Sequence, residues 1–271
     1  NCERCSLFPI VTRHPRPSKS TALTMERRSR LGQNGAVTVT QRPLGARALA
    51  RAELTSRIMG AARAQIAASG APSLSLRAIA RELGMASSAI YRYFPSRDDL
   101  ITALLLESYG ALADLAEAAD ASVGDPTDLD ARWLAIWRAV RRWAVAHPHD
   151  YALLYGSPIP GYRAPDATIV PVTRLTSTFV RLLRLVVAAG GRPVASVEVD
   201  AGTRASIASA REFFGDGVGD VAVVRGLMAW TGLFGALSFE LFGHYVHVVD
   251  DYGTFFDHLV RQWQADLTAG S

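Results

Sequence analysis

Residues 75–100 read SLRAIARELGMASSAIYRYFPSRDDL, and this stretch, from Ser75 to Leu100, decides the fold. Ser75 is a good N-cap for a helix whose apolar positions Leu76, Ile79, Ala80 and Leu83 fall at i, i+3, i+4 and i+7. Gly84 follows where a left-handed residue closes a helix, a conformation that only glycine adopts without a Cβ penalty. The next helix, expected over Ser87–Phe94, buries Ile90 and Phe94 and turns Ser87, Ser88, Tyr91 and Arg92 outward. Hydroxyls, a phenol and a guanidinium on one face suit phosphate and base-edge contacts. Pro95 stops that helix, and Ser96 with Asp99 forms a capping box that starts another at Arg97. Two short helices joined by a glycine turn make a helix-turn-helix, a unit built to lay a helix in the major groove.

The order L-S-L-R-x-I-A-x-x-L-G, with I-Y-x-Y-F and the capped fourth helix behind it, resembles the TetR family of transcriptional regulators. The run Ile90-Tyr91-Arg92-Tyr93-Phe94 is its most specific part. The resemblance implies that Arg77, Ser87, Ser88, Tyr91, Tyr93 and Arg97 contact DNA, mostly at phosphates, with Arg92 as a further contact. The chain departs from the pattern at the recognition-helix cap, where the family commonly has Ser or Thr and this sequence has Ala86 followed by Ser87.

Length and charge agree with a reading head on a larger body. The chain has 271 residues, 49% hydrophobic and 8% aromatic. Residues 1–51 hold ten Lys or Arg against Glu3 and Glu26, a net +8, so the remainder carries −4 of the total +4. We therefore expect three parts: a basic, disordered leader over 1–46, a helix-turn-helix domain over 47–95, and a helical ligand-binding and dimerisation domain over 96–271. A basic arm of this kind suits phosphates or a minor groove. The leader is rich in Pro, Ser and Thr between Pro15 and Thr24, begins at Asn1, and offers Met25 as an alternative start. It lacks the apolar run of a signal peptide. Cys2 and Cys5 are the only cysteines, with no second pair for a zinc site, and a body without disulfides fits the cytoplasm. Lys19 is the only lysine, so nearly every cation is Arg.

The rest of the chain reads as helices, giving an all-α fold. Leu54, Ile58, Ala62 and Ile66 recur at i+4 before Gly70 and Pro72. The helix from Arg97 is expected to reach Ala121. Another runs over Asp128–Ala146 with Trp133, Trp137 and Val140 on one face, and a short one passes through Tyr151 and Tyr155. Pro171 suits the first turn of a helix ending near Gly190-Gly191. Residues 192–220 read as a loop with one short helix over Ala205–Phe214. Leu227, Trp230, Phe234, Leu237 and Leu241 then step by 3, 4, 3 and 4, and Phe256, Leu259, Trp263 and Leu267 line a final helix capped by Asp251.

The resemblance implies that this last helix pair forms a four-helix bundle with the same pair of a second subunit. Leu227, Phe234, Leu237, Leu241, Phe256, Leu259 and Trp263 are the candidate interface. Trp230-Thr231-Gly232-Leu233-Phe234-Gly235 is similar to the W-x-x-x-H-G signature of one C-terminal-domain subgroup, with Phe234 in place of the His. A homodimer presents two recognition helices about one helical turn apart, ~34–36 Å, and so predicts a near-palindromic operator.

The resemblance also implies a pocket whose ligand releases DNA, which requires the ligand to favour the DNA-free arrangement. Trp133, Trp137, Tyr151, Tyr155, Phe179 and Trp230 are candidate walls, giving an apolar or aromatic ligand. Arg138, Arg141 and Arg142 adjoin them in sequence and read better as a solvated face. No cofactor, metal or enzyme chemistry is expected. His147 and His149, and His244 and His247, lack a third ligand at suitable spacing. There is no G-x-S-x-G on a strand, no dinucleotide fingerprint and no P-loop. The apolar run Gly226–Phe239 is shorter than the ~20 residues of a membrane span. The favoured reading is a ligand-responsive repressor. The rival is a helical small-molecule or partner-binding protein with a weak or vestigial DNA head, and the salt dependence of DNA binding separates the two.

Overall fold

The computed structural model describes residues 45–191 and 197–268, and no strand occurs among them. The basic leader up to residue 44, with Cys2, Cys5 and Met25, lies outside the described residues, as does Val194. The chain divides into two units after Arg57. Of the first, the described part is Gly45 and the opening turns of α1 (Ala46–Ser69), with residues 45–53 all exposed. The second unit, Ile58–Ser271, holds the helix-turn-helix and the larger helical body together.

In the head, Ile58, Ala62 and Ile66 of α1 are buried, as their i+4 spacing requires. Gly70 ends the helix at φ 76°, and a 3₁₀ turn over Ala71–Ser73 leads to α2 (Leu76–Glu82). The Ser75 hydroxyl caps α2 by accepting from the Ala78 N–H, while the Ser75 N–H donates to Gln65 Oε1 at 2.6 Å. Gly84 takes φ 66°, and the Met85 N–H reaches back to the Ala80 carbonyl at 2.8 Å. This is the bond that closes a helix through a left-handed residue.

The recognition helix is shorter than its apolar spacing suggests. α3 covers Ser87–Ile90 rather than Ser87–Phe94, and the Arg92 and Tyr93 N–H groups close tighter turns onto Ala89 and Ile90. Pro95 explains this, because the residue before a proline is pushed out of the helical region and the strain is relieved over the preceding turn. Ala86 stands at the cap with no side-chain bond, so the helix starts at Ser87 by backbone alone. Ser96 then caps α4 as expected: the Asp99 N–H donates to Ser96 Oγ at 3.1 Å, and the Ser96 Oγ–H donates to Asp99 Oδ2 at 2.7 Å, joining the two side chains of the expected box.

The body comprises α4 (Arg97–Ala121), α5 (Leu129–Ala146), α6 (Pro148–Tyr155), α7 (Ile169–Ala188), α8 (Ala201–Ser206), α9 (Ala208–Phe214), α10 (Asp220–Leu241) and α11 (Tyr252–Thr268). α4 runs on from the head and packs against α5 and α7, and α11 packs against α10 and α5. Asp128 and Asp251 cap α5 and α11 through the Ala131 and Thr254 N–H groups, at 2.8 and 3.0 Å. One expectation fails between α7 and α10. The single helix Ala205–Phe214 is two: Asp200 caps an earlier start by accepting from the Thr203 N–H at 2.6 Å, and Ile207, at φ −97° and ψ 12°, separates α8 from α9. A charged triad, with Asp120 and Arg132 buried and Arg181 exposed, closes the far end of α4. Arg132 Nε and Nη2 donate to the two Asp120 oxygens at 2.7 and 3.1 Å, its Nη1 donates to the Pro126 carbonyl, and Arg181 of α7 adds a bond of 2.6 Å.

α10 is longer than its apolar run, since Asp220–Arg225 and Glu240-Leu241 belong to it. At 22 residues it is long and apolar enough to cross a membrane, yet half of its most apolar window is buried in the body. Its charged ends are tied inward: Glu240 pairs with Arg141 of α5 and Arg225 with Asp266 of α11. A core helix meets the same length test as a span.

Candidate functional site

Ser87, Ser88, Tyr91 and Arg92 are all exposed on α3 and the turn after it, and Arg77 and Arg81 are exposed on α2. α2 and α3 pack on each other, so these side chains belong to one compact unit. Buried Ile79, Ala80, Ile90 and Phe94 hold it from beneath. What projects is a set of short hydroxyls and a phenol flanked by guanidinium groups, the chemistry that bonds to phosphate and to base edges.

Two of the sequence candidates sit differently. Tyr93 is half-buried. Arg97 is committed inside the head: its Nη2 donates to the Ala71 carbonyl at 2.9 Å and to Pro72 at 3.4 Å, its Nη1 lies 3.6 Å from Asp98, and its Nε is buried without a partner. It clamps the start of α4 onto the turn that follows α1. The sequence signalled a cation after a capping serine, and nothing in it marked the two carbonyls, 26 and 25 residues upstream.

The six candidate pocket residues do converge. Trp133 lies 5.3 Å from Phe179, Trp137 lies 6.0 Å from Trp230, and Tyr151 lies 5.2 Å from Tyr155, measured between ring centroids. Phe234 sits among them, 4.7 Å from Trp230 and 4.3 Å from Tyr155. The Tyr151 hydroxyl donates to the Phe234 carbonyl at 2.9 Å and meets Ser238 Oγ at 2.9 Å. Burial pushes the Tyr151 and Tyr109 phenols up to about 12 and holds that of Tyr155 well above its usual value. These phenols are therefore neutral, and those of Tyr151 and Tyr109 are bonded within the body, Tyr109 to the Leu154 carbonyl at 3.4 Å. A separate groove of about 510 Å³, lined by Asp128, Ala131 and Leu134 of α5 and Arg261 and Gln264 of α11, includes none of these rings. Arg138 and Arg141 are bound up with Asp257 and Glu240, tying α5 to α11 and α10. Among the described residues, no group of three or more His, Cys, Asp or Glu is placed to hold a metal.

The candidate seam on α10 needs correction. Phe234, Leu237 and Phe256 are buried within one subunit, while Leu227, Leu241, Leu259 and Trp263 are half-buried. The stripe left outside on α10 is Met228, Thr231 and Phe239, with half-buried Gly235 between them and Phe242 just past the helix end; Met228 is 53% and Phe239 50% exposed. α10 is apolar on two sides, so a 3-4 spacing on one side did not reveal which side the body claims.

A family model described as bacterial regulatory proteins of the tetR family matches residues 58–104. A second, the tetracyclin repressor-like C-terminal domain, matches residues 133–263. The HTH-type transcriptional regulators Rv1816 of Mycobacterium tuberculosis and Mb1846 of Mycobacterium bovis are each 41% identical over 221 residues, 80% of this chain and 94% of theirs. The chain belongs to the TetR family. It is a DNA-binding transcriptional regulator, in a family of regulators rather than enzymes. The crystal structure of the regulatory protein SCO4313 superposes with a TM-score of 0.65 at 33% identity, covering 79% of this chain and 97% of that one. A tetR-family protein from Rhodococcus RHA1 shares the fold with a TM-score of 0.54 at 17% identity. The TetR match over 58–104 spans the whole exposed face from Arg77 to Arg92.

Proposed function

We propose that this TetR-family regulator is a homodimeric, ligand-responsive repressor that reads a near-palindromic operator from the cytoplasm. Residues 47–95 form the reading head and 96–271 the ligand-binding and dimerisation body. Ser87, Ser88, Tyr91 and Arg92 meet the groove, and Arg77 a flanking phosphate. Tyr93 supports the face from the half-buried side, and Arg97 acts by holding the head together. The observation that carries this reading is the single exposed face, of hydroxyls and guanidinium groups, on a glycine-turned helix pair.

The ligand in this reading is a small apolar or aromatic molecule held between the rings of Trp133, Trp137, Tyr151, Tyr155, Phe179 and Trp230. Trp230 and Gly235 support placing the body in the W-x-x-x-H-G subgroup, while Phe234, which replaces the His of that signature, serves as a packing ring. The dimer forms along the outward stripe of α10, Met228 to Phe239, and Phe242 just past its end, with Leu259 and Trp263 of α11 beside it. Small Gly235 lets two such helices approach closely.

Selection of bound duplexes from a random pool tests the reading. Enrichment of a palindrome by the protein, lost in Tyr91→Ala, is expected. A folded protein that enriches nothing at moderate salt overturns it.

A further inference from the structure

The head is joined to the body by α4, and one helix alone leaves the angle of the head free to vary. A second attachment lies on α1. Arg63 Nε donates to Asp150 Oδ1, at the first turn of α6, at 3.0 Å, and its Nη2 lies 3.3 Å from Glu107 of α4. Ser108 of α4 donates to the same Asp150 oxygen at 3.1 Å. The Asp150 side chain is 13% exposed, so its carboxylate depends on these partners, and stripping them away leaves a desolvated charge. Such a contact has one satisfied geometry, unlike an apolar surface that slides.

Asp150 is also one residue from the aromatic cluster. Tyr151 is bonded to α10 through the Phe234 carbonyl, and α6 is a short block, with Pro148 in its first turn and Gly156 closing it. A β-carbon on Gly156 would come within 2.3 Å of the Ala152 carbonyl oxygen, so the block has a fixed end.

We propose that Arg63 and Asp150 are positioning residues for DNA reading. Their ion pair sets the angle of the helix-turn-helix to the body, and α6 relays to it any shift of Tyr151. The proposal rests on the operator-binding reading for its biological meaning, but its geometry is testable without DNA. Single-molecule energy transfer would be measured between dyes at Arg81→Cys and Arg142→Cys, both exposed, with Cys2 and Cys5 replaced by Ser and unlabelled protein in excess. A narrow distribution is expected for the parent. It broadens in Arg63→Met and Asp150→Asn, narrows again in Arg63→Lys, and stays narrow in Arg174→Met, which breaks the ion pairs of α7 with Asp114 and Glu117.

Tyr151→Phe, which unties α6 from α10, broadens it as well. Operator affinity of Arg63→Met falls roughly tenfold, the loss expected when one molecule in ten keeps the competent angle, with an unchanged salt slope. An unchanged distribution in folded Arg63→Met and Asp150→Asn overturns the positioning role, as does equal broadening in Arg174→Met. A salt slope reduced by about 0.9 would make Arg63 a phosphate contact instead. Broadening in the pin variants without any in Tyr151→Phe overturns the relay. Failure to bind any operator leaves these distances to decide the inference by themselves.

Discussion

The indole of Trp263 lies so close over Gly232 that a β-carbon there would come within 2.2 Å of its Cζ2. α11 therefore packs on α10 through a ring set against bare backbone, inside one subunit. Gly232→Ala forces the indole to move, and overpacking of this kind costs about 1–3 kcal/mol, partly offset by ~1 kcal/mol of helix propensity. A lower midpoint in urea unfolding is expected. A stabilised variant would show that the ring has room to swing aside.

Gly235 makes the opposite case. Nothing lies within 4 Å of where its β-carbon would be. Within one subunit Gly235→Ala is expected to gain roughly 0.8–1 kcal/mol of helix propensity. In a dimer built on the outward stripe it separates the two helices. Sedimentation over a range of concentrations is expected to show weaker association, and an unchanged dimer would move the interface off this stripe.

Arg77 and Arg97 should part company in DNA binding. Arg77→Ala removes one phosphate contact, so the log–log salt slope shrinks by about 0.9. Arg97→Ala leaves the slope alone and lowers the melting temperature, because it empties the clamp on Ala71 and Pro72. Equal slope changes in both would return Arg97 to the DNA surface.

Sequence and structure agree most where local chemistry decides. Ser75, Gly84, Ser96, Asp128 and Asp251 act on neighbours one to four residues away, and each was readable from its own surroundings. The apolar stripe of α1 was equally plain. The misreadings share a physical origin in long-range competition. Phe234 and Leu237 have the right spacing for a seam between subunits, but the body claims them first. Arg97 has the right position for a phosphate, but two carbonyls lie nearer. The pairing of Arg63 with Asp150, 87 residues apart, leaves no trace in the local pattern.

The Asp120 triad predicts an acid response. The hydrogen bond from Arg132, with both nearby guanidinium groups, holds the Asp120 carboxyl below its usual 3.8. A depressed carboxylate stabilises the fold above its unfolded pKa, and that contribution fades as pH falls below it toward the folded value. Asp120→Asn leaves Arg132 buried without its counter-charge and is expected to cost about 3–5 kcal/mol at neutral pH. Unfolding between pH 2 and 5 should be flatter in the variant than in the parent.

Tyr151 predicts the alkaline counterpart. With its phenol pushed up to about 12 against an ordinary 10, the folded state holds the proton longer than the unfolded chain. The stabilisation is complete below pH 10 and is lost as pH rises toward 12. Tyr151→Phe should flatten that limb and cost about 1–2 kcal/mol at neutral pH for the lost bonds to Phe234 and Ser238. A parent protein whose stability does not change between pH 9 and 11.5 would contradict the burial.

The meeting of Trp133, Trp137 and Trp230 around Phe179 has an optical consequence. Trp137 lies 6.1 Å from Trp133 and 6.0 Å from Trp230, so excitation is shared among the three indoles and their emission reports one small volume. Of the five tryptophans, only Trp143 and Trp263 stand outside it. An aromatic guest that wedges between the rings dims the shared emission, while the outer two supply a steady background. On the proposed reading of this cluster as the ligand site, the unlabelled protein is its own sensor, and a fluorescence titration with aromatic compounds tests that reading without an operator in hand.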